Sequence, residues 1–109
     1  MFCSDTSRTA NAYGKKAKIF CRQQAGAGIQ NFLLEIQEKG LSTCWIGYFV
    51  EKQIKNILQV PEDINIEAIF PIGYEMGNAK PKPKIELDNT LYFNSYRNKR
   101  MKPMKKLEV

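Results

Sequence analysis

The sequence contains no histidine. This absence excludes Ser-His-Asp and Cys-His nucleophile pairs, and histidine metal sites, from the chain. Its three cysteines, Cys3, Cys21 and Cys44, are an odd number without metal-binding spacing. We interpret them as reduced thiols of a cytoplasmic protein rather than as a disulfide framework. Any chemistry therefore requires another reactive group, for which a bound cofactor is the natural candidate.

The sequence also lacks a long apolar run. No stretch approaches the ~20 apolar residues that a membrane-spanning helix needs, so we expect no integral membrane protein. The segment from Met1 to Asp5 has neither the basic nor the apolar region of a secretory signal. With 109 residues, of which 43% are hydrophobic, the chain is expected to form one compact domain.

The net charge of +6 is concentrated at one end of the chain. Residues 1–79 carry eight Lys/Arg and eight Asp/Glu, whereas residues 80–109 carry nine Lys/Arg and three Asp/Glu. This distribution predicts a neutral globular body followed by a basic C-terminal segment. It is not typical of a protein with a uniformly basic nucleic-acid-binding face.

Helical periodicity is clearest between residues 19 and 39, where four apolar side chains fall on one face. These are Ile29, Phe32, Leu33 and Ile36. Gly40 is well placed as the left-handed residue that follows a helix. Because glycine is unfavourable within a helix, Gly26 and Gly28 suggest a close approach by another backbone, the alternative being a locally weak helix start.

Other segments favour strands, turns and a second helix. We expect strands over residues 1–4, 41–49 and 65–74, the last ending or bulging near Pro71. Residues 5–7 and 11–14 are rich in turn and cap residues, and residues 15–18 are predicted to form a solvated basic turn. A short amphipathic helix is predicted from Val50 to Leu58, before Pro61, and the Pro-rich segment 77–84 is predicted to be extended.

Three local patterns each have a functional and a structural interpretation. Gly47 would let a flat ligand approach the backbone after an apolar strand, or would simply begin a turn. Lys80, Lys82 and Lys84 alternate with prolines, so they would present cations to a phosphate or form a solvated linker. The cations from Arg97 onward, near three aromatic side chains, would bind a nucleic acid or form a solvated terminus, and the solvated terminus is favoured.

The order of these segments resembles the C-terminal half of the nitroreductase family, over about residues 22–96. The motifs that carry the resemblance are Ala25–Asn31 within a helix, Gly40–Gly47, Val60–Asp63, Pro71–Tyr74 and Lys80–Lys84. No single motif is diagnostic, but their order and spacing are. The resemblance implies an α+β fold, a partial three-layer sandwich with a central antiparallel-type sheet and flanking helices.

The resemblance further implies an FMN-dependent oxidoreductase that transfers hydride from NAD(P)H through flavin to a nitroaromatic, quinone or similar small-molecule acceptor. Ile46 and Gly47 match the segment whose backbone lies beside the flavin, and Lys82 and Lys84 match the basic pair that reaches the FMN phosphate. The helix over residues 19–39 matches the one that packs in the core of a homodimer. Catalytic side chains and metal ligands are not implied, and neither a membrane nor a nucleic acid is an expected partner.

Residues 1–20 lack the Arg-rich helical half with which family members begin, and Arg8 stands alone. We therefore expect the chain to be truncated at its N-terminus, with residues 1–96 forming the C-terminal portion of one nitroreductase-like domain and residues 97–109 a basic tail. Two alternatives remain open. The chain could be a non-catalytic remnant of the fold, or a basic binding module acting through residues 80–109.

Overall fold

The structure is a computed structural model that describes residues 1–101. The chain divides after Gly77 into two compact units, Met1–Gly77 and Asn78–Val109. Residues 102–109 of the predicted basic tail lie outside the described residues.

A long helix organises the first unit. This helix, α2, spans Ala17–Glu38, which confirms the helix predicted over residues 19–39. Ala17, Cys21, Ile29 and Ile36 are its buried side chains. The helix ends as expected at Gly40, where φ is +69° and where the N–H of Leu41 donates to the carbonyl oxygen of Ile36 at 3.1 Å. No helix among the described residues is long and apolar enough to cross a membrane.

The core of this unit lies between α2 and a pair of antiparallel strands. Strand β1 (Phe2–Ser4) pairs with β3 (Asn65–Ala68), with Phe2 opposite Ala68 and Ser4 opposite Asn65. Ile29 of α2 is only 1% exposed and packs with Ala68 and Phe70. The rings of Phe2, Phe32 and Phe70 meet edge to face, with centroids 5.2 to 5.8 Å apart. Because β1 supplies Phe2 to this cluster, the ring contacts hold β1 against α2.

A second antiparallel pair is shorter than the sequence predicts. Strand β2 covers only Ser42–Thr43 and pairs with β4 (Ile72–Gly73), whereas strands were expected over residues 41–49 and 65–74. The longer predictions are wrong in extent. Pro71 separates β3 from β4, as its missing N–H predicts. The mixed α+β fold with antiparallel pairing is confirmed.

The segment between β1 and α2 is helical rather than a set of turns. Helix α1 spans Ser7–Tyr13, so the turns predicted within residues 5–14 are wrong in most of their extent. The predicted basic turn is present as a 3₁₀ turn over Gly14–Lys16, although Ala17 and Lys18 already belong to α2. The Asp5 carboxylate accepts a hydrogen bond from the N–H of Ser7 at 2.9 Å. This bond, chiefly, lowers the pKa of Asp5. The carboxylate therefore provides an acceptor for one of the N–H groups that have no partner within the first turn of the helix.

The second predicted helix is confirmed as α3, over Glu51–Leu58. It ends at Gln59, which adopts a left-handed conformation with φ of +54°. The N–H of Val60 then donates to the carbonyl oxygen of Lys55 at 2.9 Å and closes the helix end. Val60 therefore leaves the helix just before Pro61, as the sequence predicts.

The glycines of α2 are not explained by close packing within this chain. A Cβ built on Gly26 would meet no atom within 4 Å, and one built on Gly28 would lie 3.8 Å from a ring carbon of Phe2. Among the described residues, no backbone therefore approaches either glycine as closely as expected. An approach by a second chain stays a prediction.

The second unit contains little regular structure in its described part. Residues 78–86 are exposed and form neither helix nor strand, and a 3₁₀ turn follows at Leu87–Asn89. A hydrogen-bonded turn then involves Phe93, Ser95 and Asn98. These hydrogen bonds join residues on both sides of position 97. The division into residues 1–96 and a basic tail of residues 97–109 stays a prediction.

Candidate functional site

The candidate site is built around the segment that follows β2. The N–H of Ile46 donates to the carbonyl oxygen of Ile69, and the N–H of Ile69 donates to that of Ile46, both at 3.0 Å. This isolated antiparallel bridge holds the segment against the end of β3. Ile46 is nevertheless 37% exposed, so its backbone is fixed while part of the residue faces outward.

Gly47 comes directly after this bridge and is exposed. Its φ lies outside the left-handed region, in contrast to Gly14, Gly40 and Gly77. A Cβ built on Gly47 would lie 3.8 Å from Nε1 of Trp45, an ordinary van der Waals contact. Neither backbone conformation nor crowding within the described chain therefore requires glycine at this position.

The N–H of Gly47 is available for an external acceptor. Within residues 1–101, no group accepts a hydrogen bond from it. Gly47 is exposed, and the neighbouring Tyr48 is fully exposed. A bound molecule could therefore approach the Gly47 backbone closely enough to accept a hydrogen bond, at ~2.7–3.2 Å.

An open, shallow cavity of about 360 Å³ lies where β2 faces β4, and neither Ile46 nor Gly47 lines it. Its lining carries two hydroxyls and a thiol on the β2 side and is largely apolar on the β4 side. The lining residues are Ser42, Thr43, Cys44, Pro71, Ile72, Gly73 and Tyr74.

Two contacts, which the sequence does not reveal, hold this region in place. The Thr43 hydroxyl donates to the carbonyl oxygen of Pro71 at 2.6 Å, so it ties β2 to the residue that interrupts the β3–β4 segment. The indole of Trp45 packs on the Phe70 ring with centroids 6.0 Å apart. Trp45 therefore links the exposed segment to the aromatic core.

A charged network lies at the start of α3, on elements that flank the site. Lys55 is only 8% exposed, and its Nζ lies 3.2 Å from a carboxylate oxygen of Glu51. The same Nζ donates to the carbonyl oxygen of Glu62 at 3.1 Å. The N–H of Ile66 in β3 donates to the Glu51 carboxylate at 3.1 Å, and this bond is the main reason why the pKa of Glu51 is lowered. Burial opposes the lowering, and Lys55 adds to it.

The two predicted phosphate ligands belong to the second unit. Lys82 and Lys84 are exposed in the segment without regular structure, and Pro81 and Pro83 flank the first of them. Neither lysine pairs with a carboxylate among the described residues. Their side chains are therefore free to bind an anion.

In the described part of the chain, no group of His, Cys, Asp or Glu side chains could hold a metal ion. The three cysteines are free thiols, of which Cys21 is buried and Cys3 and Cys44 are exposed.

Comparison with known proteins identifies the family. The model of the nitroreductase family matches residues 2–74, which include the bridge, Gly47 and the cavity. The chain therefore belongs to the nitroreductase family and has an oxidoreductase fold. A search of curated proteins found no match.

Solved structures of the same family share the fold. A nitroreductase family protein from Streptococcus pneumoniae TIGR4 is similar with a TM-score of 0.71 and 16% identity, over 79% of this chain and 44% of that one. A second, from Clostridium novyi NT, has a TM-score of 0.57 and 24% identity, over 88% of this chain and 50% of that one. The chain thus spans half, or slightly less, of the length of these relatives.

Proposed function

We propose that this chain contributes to an FMN-dependent oxidoreductase that uses NAD(P)H to reduce nitroaromatic, quinone or similar acceptors. Nitroreductase family proteins generally use a flavin. Bound FMN would supply the hydride chemistry, for which the side chains of residues 1–101 offer no replacement. We place the working enzyme in the cytoplasm, as a homodimer.

The single observation that carries the proposal is the exposed N–H of Gly47, which has no acceptor among the described residues and follows directly on the Ile46–Ile69 bridge. Glycine usually persists where φ is positive or where another group comes too close for a Cβ. Gly47 meets neither condition within the described chain. A flat ring lying against the backbone would supply the missing reason, because a side chain there would push the ring away from the Gly47 N–H.

The surroundings of Gly47 fit a flavin ring. The Ile46–Ile69 bridge fixes the backbone on which the ring would rest, so the donor does not have to be ordered on binding. The exposed indole of Trp45, which lies 3.8 Å from a Cβ built on Gly47, offers surface that a planar aromatic ligand would cover. The residues present are therefore compatible with the ring of FMN.

Lys82 and Lys84 are proposed to bind the FMN phosphate. Prolines on both sides of Lys82 restrict the backbone, which lowers the entropy lost when the ammonium groups are held on an anion. A hydrogen-bonded phosphate contact is stronger than an exposed ion pair, which is worth only ~0–1 kcal/mol. Two lysines in this setting would supply most of the phosphate binding that this chain offers.

The test is a fluorescence titration of FMN with the purified chain, followed by NAD(P)H oxidation assays with nitroaromatic and quinone acceptors. Binding should quench flavin fluorescence, and turnover should require both nucleotide and acceptor. A chain that leaves FMN fluorescence unchanged would favour the non-catalytic remnant. Binding without turnover would restrict the proposal to the cofactor and contradict the proposed reaction.

A further inference from the structure

The loop that carries the Gly47 N–H depends on its two ends. Residues 47–50 connect the segment after β2 to the start of α3. Within the described part of the chain, the N–H groups of this loop have no acceptor. The carbonyl oxygen of Val50 accepts hydrogen bonds from the N–H groups of Gln53 and Ile54, in the first turn of α3. The conformation of the loop is therefore set largely by the residues that hold its ends.

Both ends of the loop are fixed to one short stretch of backbone, residues 66–69. At the first end, Ile46 exchanges two backbone hydrogen bonds with Ile69. At the second end, the Glu51 carboxylate accepts a hydrogen bond from the N–H of Ile66 at 3.1 Å. The loop is thus clamped at both ends, once by its own backbone and once by a side chain.

The stretch that receives both ends belongs to the core of the first unit. Ile66, Ala68 and Phe70 are all buried. Strand β3, which contains Ile66, also pairs with β1 along its length. Because this backbone is held by the sheet and by buried side chains, it is a rigid support for the loop.

Glu51 is itself held in place by a buried cation. Nζ of Lys55 lies 3.2 Å from the same carboxylate oxygen that accepts from Ile66, and it also donates to the carbonyl oxygen of Glu62. The Ile66 N–H is the largest cause of the lowered pKa of Glu51, burial opposes it, and Lys55 and Lys18 make smaller contributions in the same direction as Ile66. An ionised carboxylate is a stronger acceptor than a neutral one, so these cations strengthen the clamp.

We propose that Glu51 is a positioning residue for flavin, because it fixes the second end of loop 47–50 and so keeps the Gly47 N–H ordered for a ring acceptor. The inference rests on the proposed function, in which that N–H binds FMN. Glu51 needs no contact with the flavin and acts through the loop. A loop that is ordered before binding loses less conformational entropy on the ligand. Without Glu51 the loop is held at Ile46 alone, and its ordering weakens FMN binding.

The test compares the full chain with Glu51→Ala and Glu51→Gln, well below their melting temperatures. Without flavin, NMR relaxation of the Gly47 and Tyr48 amides should give order parameters of about 0.85 in the parent and below about 0.6 in Glu51→Ala. FMN and riboflavin should both bind Glu51→Ala at least about fivefold more weakly, the factor by which ordering one backbone residue reduces an equilibrium constant. Glu51→Gln retains an acceptor for Ile66, so it should restore part of the loop order and part of the affinity.

Ile36→Val is the matched control, because it removes a buried methyl group from α2 and lowers stability without reaching the loop. It should leave the loop relaxation and both flavin affinities unchanged. The inference is overturned if Glu51→Ala keeps the loop order of the parent, or if it behaves like Ile36→Val in the titrations. Weaker binding of FMN alone would also overturn it, since the effect would then lie at the phosphate.

The same titrations separate this inference from the proposed function. A parent chain that binds neither flavin overturns both together. A parent chain that binds FMN, beside a Glu51→Ala chain that binds it equally well, overturns the positioning role of Glu51 and leaves the proposed function standing.

Discussion

Ile46 and Ile69 exchange both of their backbone hydrogen bonds, at 3.0 Å each, in a bridge outside the named strands. The bridge joins the segment that follows β2 to the end of β3, and so connects the exposed candidate site to the buried core. Ala68 and Phe70, on either side of Ile69, are both buried. Movement of the Ile46 backbone would therefore disturb core residues, which makes Gly47 a rigid rather than an adaptable donor.

Glu51 should stabilise the first unit through the N–H of Ile66 and through Lys55. Glu51→Ala leaves that N–H without its acceptor and the buried Lys55 without its carboxylate, so we expect a loss of about 1–3 kcal/mol in the free energy of unfolding. Urea denaturation at neutral pH measures it. Glu51→Gln is the matched control, because it retains an acceptor for Ile66 and should lose less. Equal stability of Glu51→Ala and the parent would contradict this role.

The same carboxylate should make stability depend on pH. The pKa of Glu51 is lowered in the folded chain, so its contribution is fully present above the ordinary glutamate range, about 4.3, and is lost as the pH falls through the lowered value. The stability difference between the parent and Glu51→Gln should therefore shrink as the pH falls below about 4.3. If the stability difference between the parent and Glu51→Gln stays constant down to about pH 2, the ionised Glu51 carboxylate is not the source of the stabilisation.

Lys82 and Lys84 should account for most of the phosphate binding by this chain. The double variant Lys82→Ala/Lys84→Ala should weaken FMN binding several-fold or more in a fluorescence titration, and should weaken riboflavin binding much less because riboflavin has no phosphate. Lys15→Ala/Lys16→Ala removes the same charge from exposed positions in the first unit and serves as control. If both double variants bind FMN as the parent does, the lysines have no role at the phosphate.

The chain should form a homodimer whose interface includes α2. Ile19 and Leu34 are more than half exposed on this helix, and Gly26 has no neighbour within 4 Å of a built Cβ, so a second copy has both apolar surface and space available. Leu34→Glu should shift sedimentation towards the monomer. Ile57→Glu, at an exposed position on α3, should not. A parent chain that sediments as a monomer at micromolar concentration would exclude the dimer.

The sequence predicts α2 because several of its side chains are buried by the chain itself. Helix α2 has a periodic set of buried residues and a glycine in the left-handed region at its end, so both its period and its end are visible in the sequence. Helix α1 has no buried residue, and its start depends on one carboxylate at Asp5. Periodicity therefore does not reveal it.

Strand prediction fails where aromatic residues are not covered. Trp45 and Tyr48 favour a strand by composition, but strand propensity largely reflects packing against neighbouring side chains. Both are exposed in this unit, and the pairing is limited to Ser42–Thr43 and the Ile46–Ile69 bridge. Within the candidate site, Ile46 and Gly47 are visible in the sequence as the end of an apolar segment. The contact between Thr43 and Pro71 is not, because it joins residues far apart in the chain.

The central claim is that Gly47 is a glycine because a flavin lies against it. Flavin titration of Gly47→Val, well below its melting temperature, tests this most directly, with Gly14→Val as the matched control. Gly14 has φ of +55°, so valine there should lower the melting temperature yet leave FMN binding intact when the folded chain is assayed. The account predicts the reverse for Gly47→Val, a melting temperature close to that of the parent and a loss of FMN binding. A Gly47→Val chain that binds FMN as tightly as the parent would contradict it.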